Sequence, residues 1–470
     1  MFDNLGVRGN KTALVSEEGK VFSYEELAFL SDLSVAKIKQ GSLCFLVCEN
    51  SPEAIIYYVG LVRNRIATLL IPNETSESKL TKLILAYSPN YVISNLKSKP
   101  LEQNFKAIDN FEKYSIFESN NVIHHPVLPN TAVCLSTSGS TGSPKFVKLS
   151  LNNLESNTKA IIKALNIEES QSTITTMPMS YSYGLSVINT SLAVGGVLVV
   201  NSKQVTCRDF WDQVKEHSVN TLSGVPYIYE QLSRLSADFL GRTKIKTFTQ
   251  AGGKLKKEIR QHFITICEET GINFYVMYGQ TEATARISVL PAADFARFKD
   301  AIGFAVPGGE LTVIDQSGIK IESPGVIGEL YYTGPNVFQG YVSDRSDLYS
   351  SSLSSCKLKT GDLGYFDSEG RFYISGRIKR IAKIHGNRIN LEEVENFLME
   401  REVEAYCVEF LEKLIVVTTN KEVTLEVRRQ IIEYLEINSQ LISFTQIPSI
   451  PRGDSGKVDY SSIIEFLGGV

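Results

Sequence analysis

The sequence predicts an α/β protein. Parallel sheets covered by helices would form its N-terminal part, a small antiparallel barrel or sheet would follow, and a small α+β unit would end the chain. Three observations support this fold class. The chain has 470 residues, of which 43% are hydrophobic and 21% charged, so several globular units are expected. Short β-rich runs alternate with longer helical stretches as far as about residue 300. Beyond that point, Gly, Pro and Thr break the sequence into short alternating runs.

The first series of strands and helices covers residues 11–95. Runs rich in Val, Ile and Leu are followed by stretches with helical apolar spacing, which is typical of parallel strands joined by crossover helices. Near residue 52, Ser51 can cap a helix, Pro52 suits its first position, and Glu53 lies in its first turn. The successive segments are KTALVSE, KVFSYEELAFLSDLSVAKIKQ, SLCFLVCEN, SPEAIIYYVGLVRN, ATLLIPN, SKLTKLILAYS and NYVISN.

A second series runs from about 151 to 290 and includes a buried-strand candidate, GGVLVVN, at 195–201. Between about 300 and 376, the runs ELTVIDQSG, GELYYTG and GRFYISG indicate a small antiparallel barrel or sheet. Residues 377–470 mix a helix, LEEVENFLMEREV, with a strand, KLIVVTTN. The sequence therefore predicts an N-terminal domain over 1–376 and a C-terminal domain over 377–470.

Composition and charge exclude several classes of protein. Lys and Arg (48) nearly balance Asp and Glu (52), so no basic surplus points to a nucleic-acid partner. No apolar stretch approaches the ~20 residues that span a bilayer, and the N-terminus lacks an apolar signal region. We therefore expect a cytoplasmic chain without integral membrane contact. Seven scattered cysteines without a CxxC pair favour reduced thiols, and none of the five histidines stands at zinc-ligand spacing from them.

The segment most informative about function is LSTSGSTGSPK at 135–145, which follows the strand-like run TAVCLS. Glycines allow backbone N–H groups to approach an anion, hydroxyls donate further hydrogen bonds, and Lys145 adds a positive charge. This is the composition of a phosphate-binding loop, although the loop does not match the GxxxxGK[ST] pattern. Besides Lys145, the candidate ligands are Thr137, Ser138, Gly139, Ser140, Thr141 and Gly142.

This loop resembles the phosphate loop of the acyl-adenylate-forming superfamily, which includes acyl-CoA synthetases, luciferases and peptide-synthetase adenylation domains. Four more segments resemble the family's motifs and stand in the expected order. They are YGQTEAT at 278–284, KTGDLG at 359–364, GRIKRIAKIHGNRINLEEVE at 376–395 and PRGDSGKVDY at 451–460. Together with the loop they span nearly the whole chain. The resemblance implies a large N-terminal domain of two doubly wound sheets plus a small β-barrel, followed by a small mobile α+β C-terminal domain.

The resemblance implies a role for each residue of YGQTE. Thr281 would contact the α-phosphate, Glu282 would bind Mg²⁺, and Tyr278 would stack on adenine, with Gly279 and Gln280 in the same ATP-binding motif. Mg²⁺ is a hard cation that prefers oxygen ligands, which suits a carboxylate at that position.

The later motifs imply further contacts to the nucleotide. The carboxylate of Asp362 would accept hydrogen bonds from both ribose hydroxyls, and Arg377 would contact ribose or phosphate. Lys457 would contact the reacting carboxylate and the bridging phosphate oxygen.

The C-terminal motif also implies a domain rotation between two half-reactions. Lys379 occupies the hinge position in this resemblance. Rotation would exchange Lys457 for a segment that lines a pantetheine tunnel, formed around Lys383, His385 and Gly386.

Weaker matches concern the acyl side of the site. TQAGGKL resembles the family's adenine-edge segment and supplies Gly252 and Gly253. MPMSYSYGLS aligns with a segment of the acyl pocket and supplies Tyr181, Tyr183 and Gly184. Tyr181 stands where many members have His, so an imidazole base is absent at that position, although an aromatic ring can still close the pocket.

The sequence therefore predicts an AMP-forming acid–thiol ligase that uses ATP, Mg²⁺ and a carboxylic acid, with coenzyme A as the expected acceptor. The alternative is a stand-alone adenylation enzyme that loads an amino, hydroxy or aryl acid onto the pantetheine of a free carrier protein. SYSYG lacks the Asp with which peptide-synthetase domains bind a substrate amine, which disfavours an amino acid. A third hypothesis is an inactive adenylate-binding protein, which predicts the loss of catalytic residues that are present here.

Overall fold

The computed structural model describes residues 1–96, 99–121, 130–136, 145–349, 356–384, 387–419, 423–435, 437–452 and 458–468. The chain divides into two compact units. The first unit comprises Met1–Glu310 and Thr333–Leu358, and the second comprises Leu311–Tyr332 and Lys359–Val470. The predicted division into domains over 1–376 and 377–470 stays a prediction.

The strands are numbered in chain order. They are β1 (Thr12–Val15), β2 (Val21–Ser23), β3 (Leu43–Cys48), β4 (Ala67–Pro72), β5 (Tyr91–Ser94), β6 (Phe105–Phe111), β7 (Tyr114–Ser119), β8 (Thr131–Ser136), β9 (Phe146–Ser150), β10 (Ser172–Ile174), β11 (Val197–Val199), β12 (Thr221–Gly224), β13 (Thr247–Gln250), β14 (Asn273–Tyr278), β15 (Ser288–Leu290), β16 (Ala301–Ala305), β17 (Glu310–Ile314), β18 (Gly328–Thr333), β19 (Tyr341–Val342), β20 (Lys357–Phe366), β21 (Phe372–Arg377), β22 (Ile381–Ile384), β23 (Asn387–Asn390), β24 (Tyr406–Phe410), β25 (Lys413–Thr418) and β26 (Ile442–Gln446).

The α-helices are numbered in the same way. They are α1 (Tyr24–Ser34), α2 (Pro52–Arg63), α3 (Glu77–Tyr87), α4 (Lys99–Asn104), α5 (Leu151–Leu165), α6 (Ser182–Val194), α7 (Arg208–Glu216), α8 (Pro226–Leu232), α9 (Ala237–Gly241), α10 (Lys257–Thr270), α11 (Leu391–Met399), α12 (Leu425–Leu435) and α13 (Tyr460–Gly468).

Two sheets form the framework of the first unit. One has the strand order β16-β15-β14-β13-β12-β10-β11-β1-β2, and the other has the order β19-β9-β8-β4-β3-β5-β7-β6. The inner strands pair in parallel in both sheets, for example β12 with β13 and β3 with β4. The prediction of an α/β fold with two helix-covered sheets is confirmed.

Strand β3 illustrates why its sheet is covered on both faces. Every residue of its sequence LCFLVC is buried. Its alternate side chains belong to different cores: Cys44, Leu46 and Cys48 pack in one, and Leu43, Phe45 and Val47 pack in the other. Because successive side chains of a strand point to opposite faces, a run without polar residues requires apolar cover on both sides.

The start of helix α2 agrees with its prediction. The Ser51 side chain accepts from the Ala54 N–H at 3.2 Å, and Pro52 occupies the first turn. The strand expected over 195–201 is shorter, because Gly195 has a φ of +83° and ends helix α6. The antiparallel pair β6–β7 had no counterpart among the sequence-based predictions.

The second unit contains short sheets and helices α11–α13. Strands β17, β18, β20 and β21 are neighbours in that order, and β20 pairs with β21 antiparallel. Strands β22 and β23 form an antiparallel pair, and β24, β25 and β26 form a three-stranded sheet. Apolar residues of α11, α12 and β24–β26 share one core, as the α+β prediction for this region requires.

All seven cysteines are free thiols, and Cys44, Cys48, Cys134 and Cys407 are buried. Burial raises the pKa of the Cys134 thiol to about 12. Within the described ranges, no helix is both long enough and apolar enough to cross a bilayer.

Candidate active site

The carboxyl ends of three parallel strands define one edge of the first unit's longer sheet. The register places Gly224 of β12 beside Gln250 of β13, and Gln250 beside Val276 of β14. The segments that follow these strands, 225–226, 251–253 and 279–282, therefore leave the sheet at the same edge. Ligands of α/β sheets bind at such edges.

Gly279 allows the chain to turn sharply directly after β14. A Cβ atom at this position would stand 1.9 Å from the carbonyl oxygen of Ala285, which is a backbone atom and cannot move aside. The turn continues as a short 3₁₀ helix over Thr281–Ala283. The YGQTEAT motif thus needs its glycine for close backbone packing.

Tyr341 brings together two residues to which the sequence assigns ATP chemistry. Its hydroxyl donates to Glu282 Oε1 at 2.8 Å, and the Nζ of Lys145 lies 3.7 Å from the centre of its ring. The position of Lys145 follows from the antiparallel pairing of β9 with β19, in which Val147 is opposite Tyr341. Partial burial raises the pKa of the Tyr341 hydroxyl, and the Glu282 charge raises it further, so the hydroxyl remains a donor.

Thr281 connects the same turn to helix α6. Its hydroxyl donates to the hydroxyl of Ser182 at 3.3 Å, and Ser182 is the first residue of that helix. The residue predicted to contact the α-phosphate therefore lies beside the segment predicted to line the acyl pocket.

Thr284 and Asn336 hold the end of this turn in an unusual conformation. Thr284 has a φ of +63°, which is strained for a β-branched residue. Its hydroxyl donates to the Asn336 carbonyl oxygen at 2.7 Å, while the Asn336 amide donates to the carbonyl oxygens of Ala283 and Arg286. Sequence reasoning missed Asn336 and Tyr341, because neither lies in a segment that resembles a family motif.

The acyl-pocket and adenine-edge candidates are also neighbours. A Cβ atom on Gly252, which has a φ of +90°, would stand 3.0 Å from the Tyr181 hydroxyl oxygen. Tyr183 is buried in the first turn of α6, where its hydroxyl donates to the Thr249 carbonyl oxygen at 2.7 Å. Gly184 is required by packing, since a Cβ there would meet the Pro178 carbonyl oxygen at 2.2 Å. The Gly253 carbonyl oxygen accepts from the Gln250 side chain.

In the second unit, the predicted ribose ligand already has a charged partner. Asp362 is 2% exposed, and its carboxylate forms an ion pair with the Nε of Arg377 at 2.7 Å. The two residues are opposite each other in the β20–β21 pair. The preceding turn is fixed by Thr360, whose hydroxyl donates to the Leu330 carbonyl oxygen and accepts from the Asp362 N–H.

A buried cluster lies next to the predicted hinge. Arg380 follows Lys379 in the short 3₁₀ helix Ile378–Arg380, and it forms an ion pair with Glu395 of α11. The Tyr460 hydroxyl donates to the same carboxylate at 3.2 Å, and the Arg380 guanidinium lies 3.8 Å from the centre of its ring. The cluster therefore joins the start of α13 to the segment that contains the hinge candidate.

Some sequence-predicted residues lie partly or wholly outside the described part of the chain. The backbone of Lys379 belongs to the 3₁₀ helix and that of Lys383 to β22, but their side chains are outside the described part of the protein. The residues that lie wholly outside it are Thr137, Ser138, Gly139, Ser140, Thr141, Gly142, His385, Gly386 and Lys457.

No group of three or more His, Cys, Asp and Glu side chains that could hold a metal occurs in the described ranges. Glu282 offers a single carboxylate in the turn after β14. This fits Mg²⁺ bound through one carboxylate and the phosphates of a nucleotide. It would not suit a cation that needs a complete cage of protein ligands.

A family model described as AMP-binding enzyme matches residues 2–342. The chain belongs to this family of AMP-binding enzymes. This AMP-binding enzyme is 25% identical to the oxalate–CoA ligase of Arabidopsis thaliana, over 78% of the chain and 75% of that protein. It is 26% identical to the D-alanine–D-alanyl carrier protein ligase of Bacillus mycoides strain KBAB4, over 97% of the chain and 96% of that protein.

One solved structure with the same fold is that of O-succinylbenzoate coenzyme A synthetase from Bacillus subtilis, in complex with ATP and a magnesium ion. Its TM-score is 0.81 at 21% identity, with 98% of this chain and 99% of that chain covered. The sequence-based prediction of an AMP-forming acid–thiol ligase with the fold of this superfamily is confirmed.

Proposed function

We propose that this AMP-binding enzyme joins a carboxylic acid to the thiol of coenzyme A through an acyl-adenylate. The observation that carries the proposal is the meeting of Lys145 and Glu282 at Tyr341, beside the turn that holds Thr281. A cation, a hard oxygen ligand and a hydroxyl donor, brought together where the turn after β14 meets strand β19, suit the binding of a nucleoside triphosphate.

The reaction has two steps, adenylation and thioester formation. A carboxylate oxygen attacks the α-phosphorus of ATP, a mixed anhydride forms, and pyrophosphate leaves. The sulfur of the acceptor thiolate then attacks the acyl carbon, a thioester forms, and AMP leaves. In the first step the protein must bring two anions together, which requires positioning and charge neutralisation rather than an enzyme nucleophile.

Five residues of this chain have different roles in the adenylation step. Lys145 and Lys457 reduce the repulsion between the carboxylate and the phosphates, and Thr281 orients the α-phosphate. Asp362 binds the ribose hydroxyls. Glu282 would hold Mg²⁺, which supplies further positive charge to the phosphates when it is bound.

Rotation of the C-terminal domain about Lys379 would serve the second step. Lys457 and the tunnel candidates Lys383, His385 and Gly386 all belong to the predicted C-terminal domain, 377–470. One orientation of that domain would place Lys457 at the nucleotide, and another would place the tunnel segment there for the pantetheine arm of the acceptor.

Transfer to a free carrier protein is the second candidate, since one relative that aligns with nearly the full chain is a carrier-protein ligase by name. That relative acts on an amino acid. The described part of the predicted acyl pocket places the buried guanidinium of Arg286 against Tyr183. A cation there disfavours a substrate that carries an ammonium group.

The presence of the catalytic candidates argues against an inactive adenylate-binding protein. The groups that such a protein would be expected to lose, and that this chain keeps, are Lys145, Thr281, Glu282, Asp362 and Lys457.

Pyrophosphate exchange over a panel of fatty, aromatic, dicarboxylic and amino acids tests the proposal, followed by thioester formation with coenzyme A or with a carrier protein. Lys457→Ala should reduce exchange by about 10²–10³-fold, because a preorganised charge is lost, and should leave thioester formation from supplied acyl-adenylate nearly intact. Equal losses in both half-reactions would contradict the role of Lys457. If no acid in the panel supported pyrophosphate exchange, the proposed function would be rejected.

A further inference from the structure

Arg286 is a buried cation at the acyl side of the site. It follows YGQTEAT by two residues, just before β15, and is 2% exposed. Its guanidinium carbon lies 3.9 Å from the centre of the Tyr183 ring, one of the residues predicted to line the acyl pocket. Sequence reasoning missed Arg286, since an isolated Arg after the motif carries no pattern of its own.

The neighbours of this guanidinium are neutral. Its Nε donates to the Met277 sulfur at 3.2 Å, and its Nη1 donates to the Ala285 carbonyl oxygen at 3.1 Å. No carboxylate forms an ion pair with it in the part of the chain that the structure describes. Burial accordingly lowers the pKa of Arg286, and only the hydroxyls of Tyr183 and Tyr181 oppose that effect.

Other buried arginines of this chain have a carboxylate partner or a second carbonyl acceptor. Arg371 forms ion pairs with Asp367 and Glu369, and Arg380 forms one with Glu395. Arg260 has two carbonyl acceptors, those of Phe295 and Phe298, and it lies over the Phe295 ring. A buried charge is costly unless opposite charges or hydrogen bonds satisfy it, and of these four arginines Arg286 alone has neither a carboxylate nor a second carbonyl acceptor among the described residues.

A cavity adjoins Arg286. It lies between helices α5 and α6 and strands β12 and β13, and its volume is about 20 Å³. That is room for roughly one water-sized group. Its wall includes Tyr183, Ser223, Thr249, Met277 and Arg286. The hydroxyls of Ser223 and Thr249 form a hydrogen bond with each other at 2.8 Å.

We propose that Arg286 binds a second carboxylate at the far end of the acyl substrate, so that this enzyme activates short dicarboxylic acids. The inference rests on the proposed function. A guanidinium is the side chain best shaped to bind a carboxylate through two parallel hydrogen bonds. The distal carboxylate supplies the missing negative charge, and one of its oxygens has the size of the group that the cavity admits.

The test compares acids of equal length with one or two carboxylates, namely butanoate with succinate and pentanoate with glutarate. The first readout is kcat/KM for pyrophosphate exchange. The second is equilibrium binding of succinate and glutarate by calorimetry in the presence of a non-hydrolysable ATP analogue. The variants are Arg286→Met, which keeps much of the volume without the charge, and Arg286→Lys, which keeps the charge without the planar fork.

We expect the wild-type enzyme to prefer each dicarboxylate by about 100-fold or more, because a site built for a polar group rejects the analogue that lacks it. Arg286→Met should abolish or invert this preference and remove dicarboxylate binding, and Arg286→Lys should retain part of it. Arg260→Met is the matched control. It removes another buried Arg that lies over an aromatic ring, so it should lower stability and leave the preference unchanged.

An equal or reversed preference in the wild-type enzyme would overturn the assignment of Arg286, and so would an unchanged preference in folded Arg286→Met. Neither result would affect the proposed function. Conversely, suppose that dicarboxylates bind in a way that depends on Arg286 while no acid supports pyrophosphate exchange. That result would support the second-carboxylate site and reject the ligase activity. Should Arg286→Met not fold, the wild-type preference and Arg286→Lys still decide the question.

Discussion

The hydroxyl of Tyr341 donates a 2.8 Å hydrogen bond to the carboxylate of Glu282. The same aromatic ring supports the ammonium group of Lys145 at 3.7 Å. One tyrosine therefore positions both the proposed Mg²⁺ ligand and the proposed phosphate cation. Tyr341 is a positioning residue, because it acts through these two side chains.

Tyr341→Phe should lower the rate of pyrophosphate exchange by about tenfold and raise the Mg²⁺ concentration needed for half-maximal activity. Loss of a hydrogen bond to a charged group has roughly this effect, and the ring beneath Lys145 is retained. Glu282→Gln should raise the Mg²⁺ requirement further, because an amide oxygen is a weaker ligand than a carboxylate. A Mg²⁺ titration of the exchange reaction measures both effects.

Tyr91→Phe is the control for these variants, since the Tyr91 hydroxyl donates to the Glu118 carboxylate at 3.0 Å in a different part of the unit. Its Mg²⁺ titration should match that of the wild-type enzyme. If the titration of Glu282→Gln also matched, Glu282 would not be a metal ligand.

The ion pair between Arg377 and Asp362 should orient the carboxylate that we propose binds ribose. Asp362→Asn is expected to raise the KM for ATP by about 10–100-fold, because hydrogen bonds to a charged acceptor are lost. Arg377→Met should have a smaller effect. A double-mutant cycle on the KM separates two explanations. If Arg377 acts through Asp362, the double variant resembles Asp362→Asn, whereas fully additive effects would mean that Arg377 contacts the nucleotide independently.

Gly279→Ala should destabilise the protein by at least about 2 kcal/mol, because the added methyl carbon overlaps a backbone oxygen. Urea unfolding measures the change. Gly241→Ala is the matched control at the end of α9, where the nearest atom to an added Cβ is a Thr270 methyl carbon at an ordinary 3.5 Å. Equal stability of the two variants would show that the 279–285 turn adapts to a side chain.

Glu395→Gln should destabilise the second unit by roughly 3 kcal/mol, because removing one partner of a buried pair leaves the other charge uncompensated. Both side chains of the Arg380–Glu395 pair are 13% exposed. Glu426→Gln breaks the exposed pair with Arg429 on α12, and we expect little change there. The free energy of unfolding is measured for both variants and compared with that of the wild-type protein. A similar, small loss in both variants would mean that the buried cluster does not stabilise the segment around Arg380.

Lys379→Pro should retain pyrophosphate exchange and reduce acyl transfer to the thiol by orders of magnitude. Proline fixes φ near −65° and removes the backbone N–H, so the rotation assigned to this position would be blocked. Lys379→Ala is the control, because it removes the side chain and leaves the backbone free. Full thioester-forming turnover in Lys379→Pro would contradict the rotation model without affecting the assignment of the adenylation step.

The sequence by itself determined the fold class and the family. Alternating strand and helix patterns are local properties of the chain, so β3, β4 and the start of α2 could be placed without any structure. The motif residues Thr281, Glu282 and Asp362 were equally accessible, because a motif records residue types at a fixed spacing. The short strand β11 departed from its prediction because the φ of Gly195 depends on the helix that it ends.

Only the tertiary structure decided which distant side chains meet. Tyr341 reaches Glu282 across 59 positions of the chain, because β19 joins the edge of a sheet beside β9. The guanidinium of Arg286 lies against Tyr183 and without a carboxylate partner among the described residues, because the turn after β14 packs on the start of α6. Such contacts depend on strand order and helix packing rather than on spacing in the sequence. For that reason the sequence identified the chemistry of adenylation, and the fold supplied the residue that we propose selects the acid.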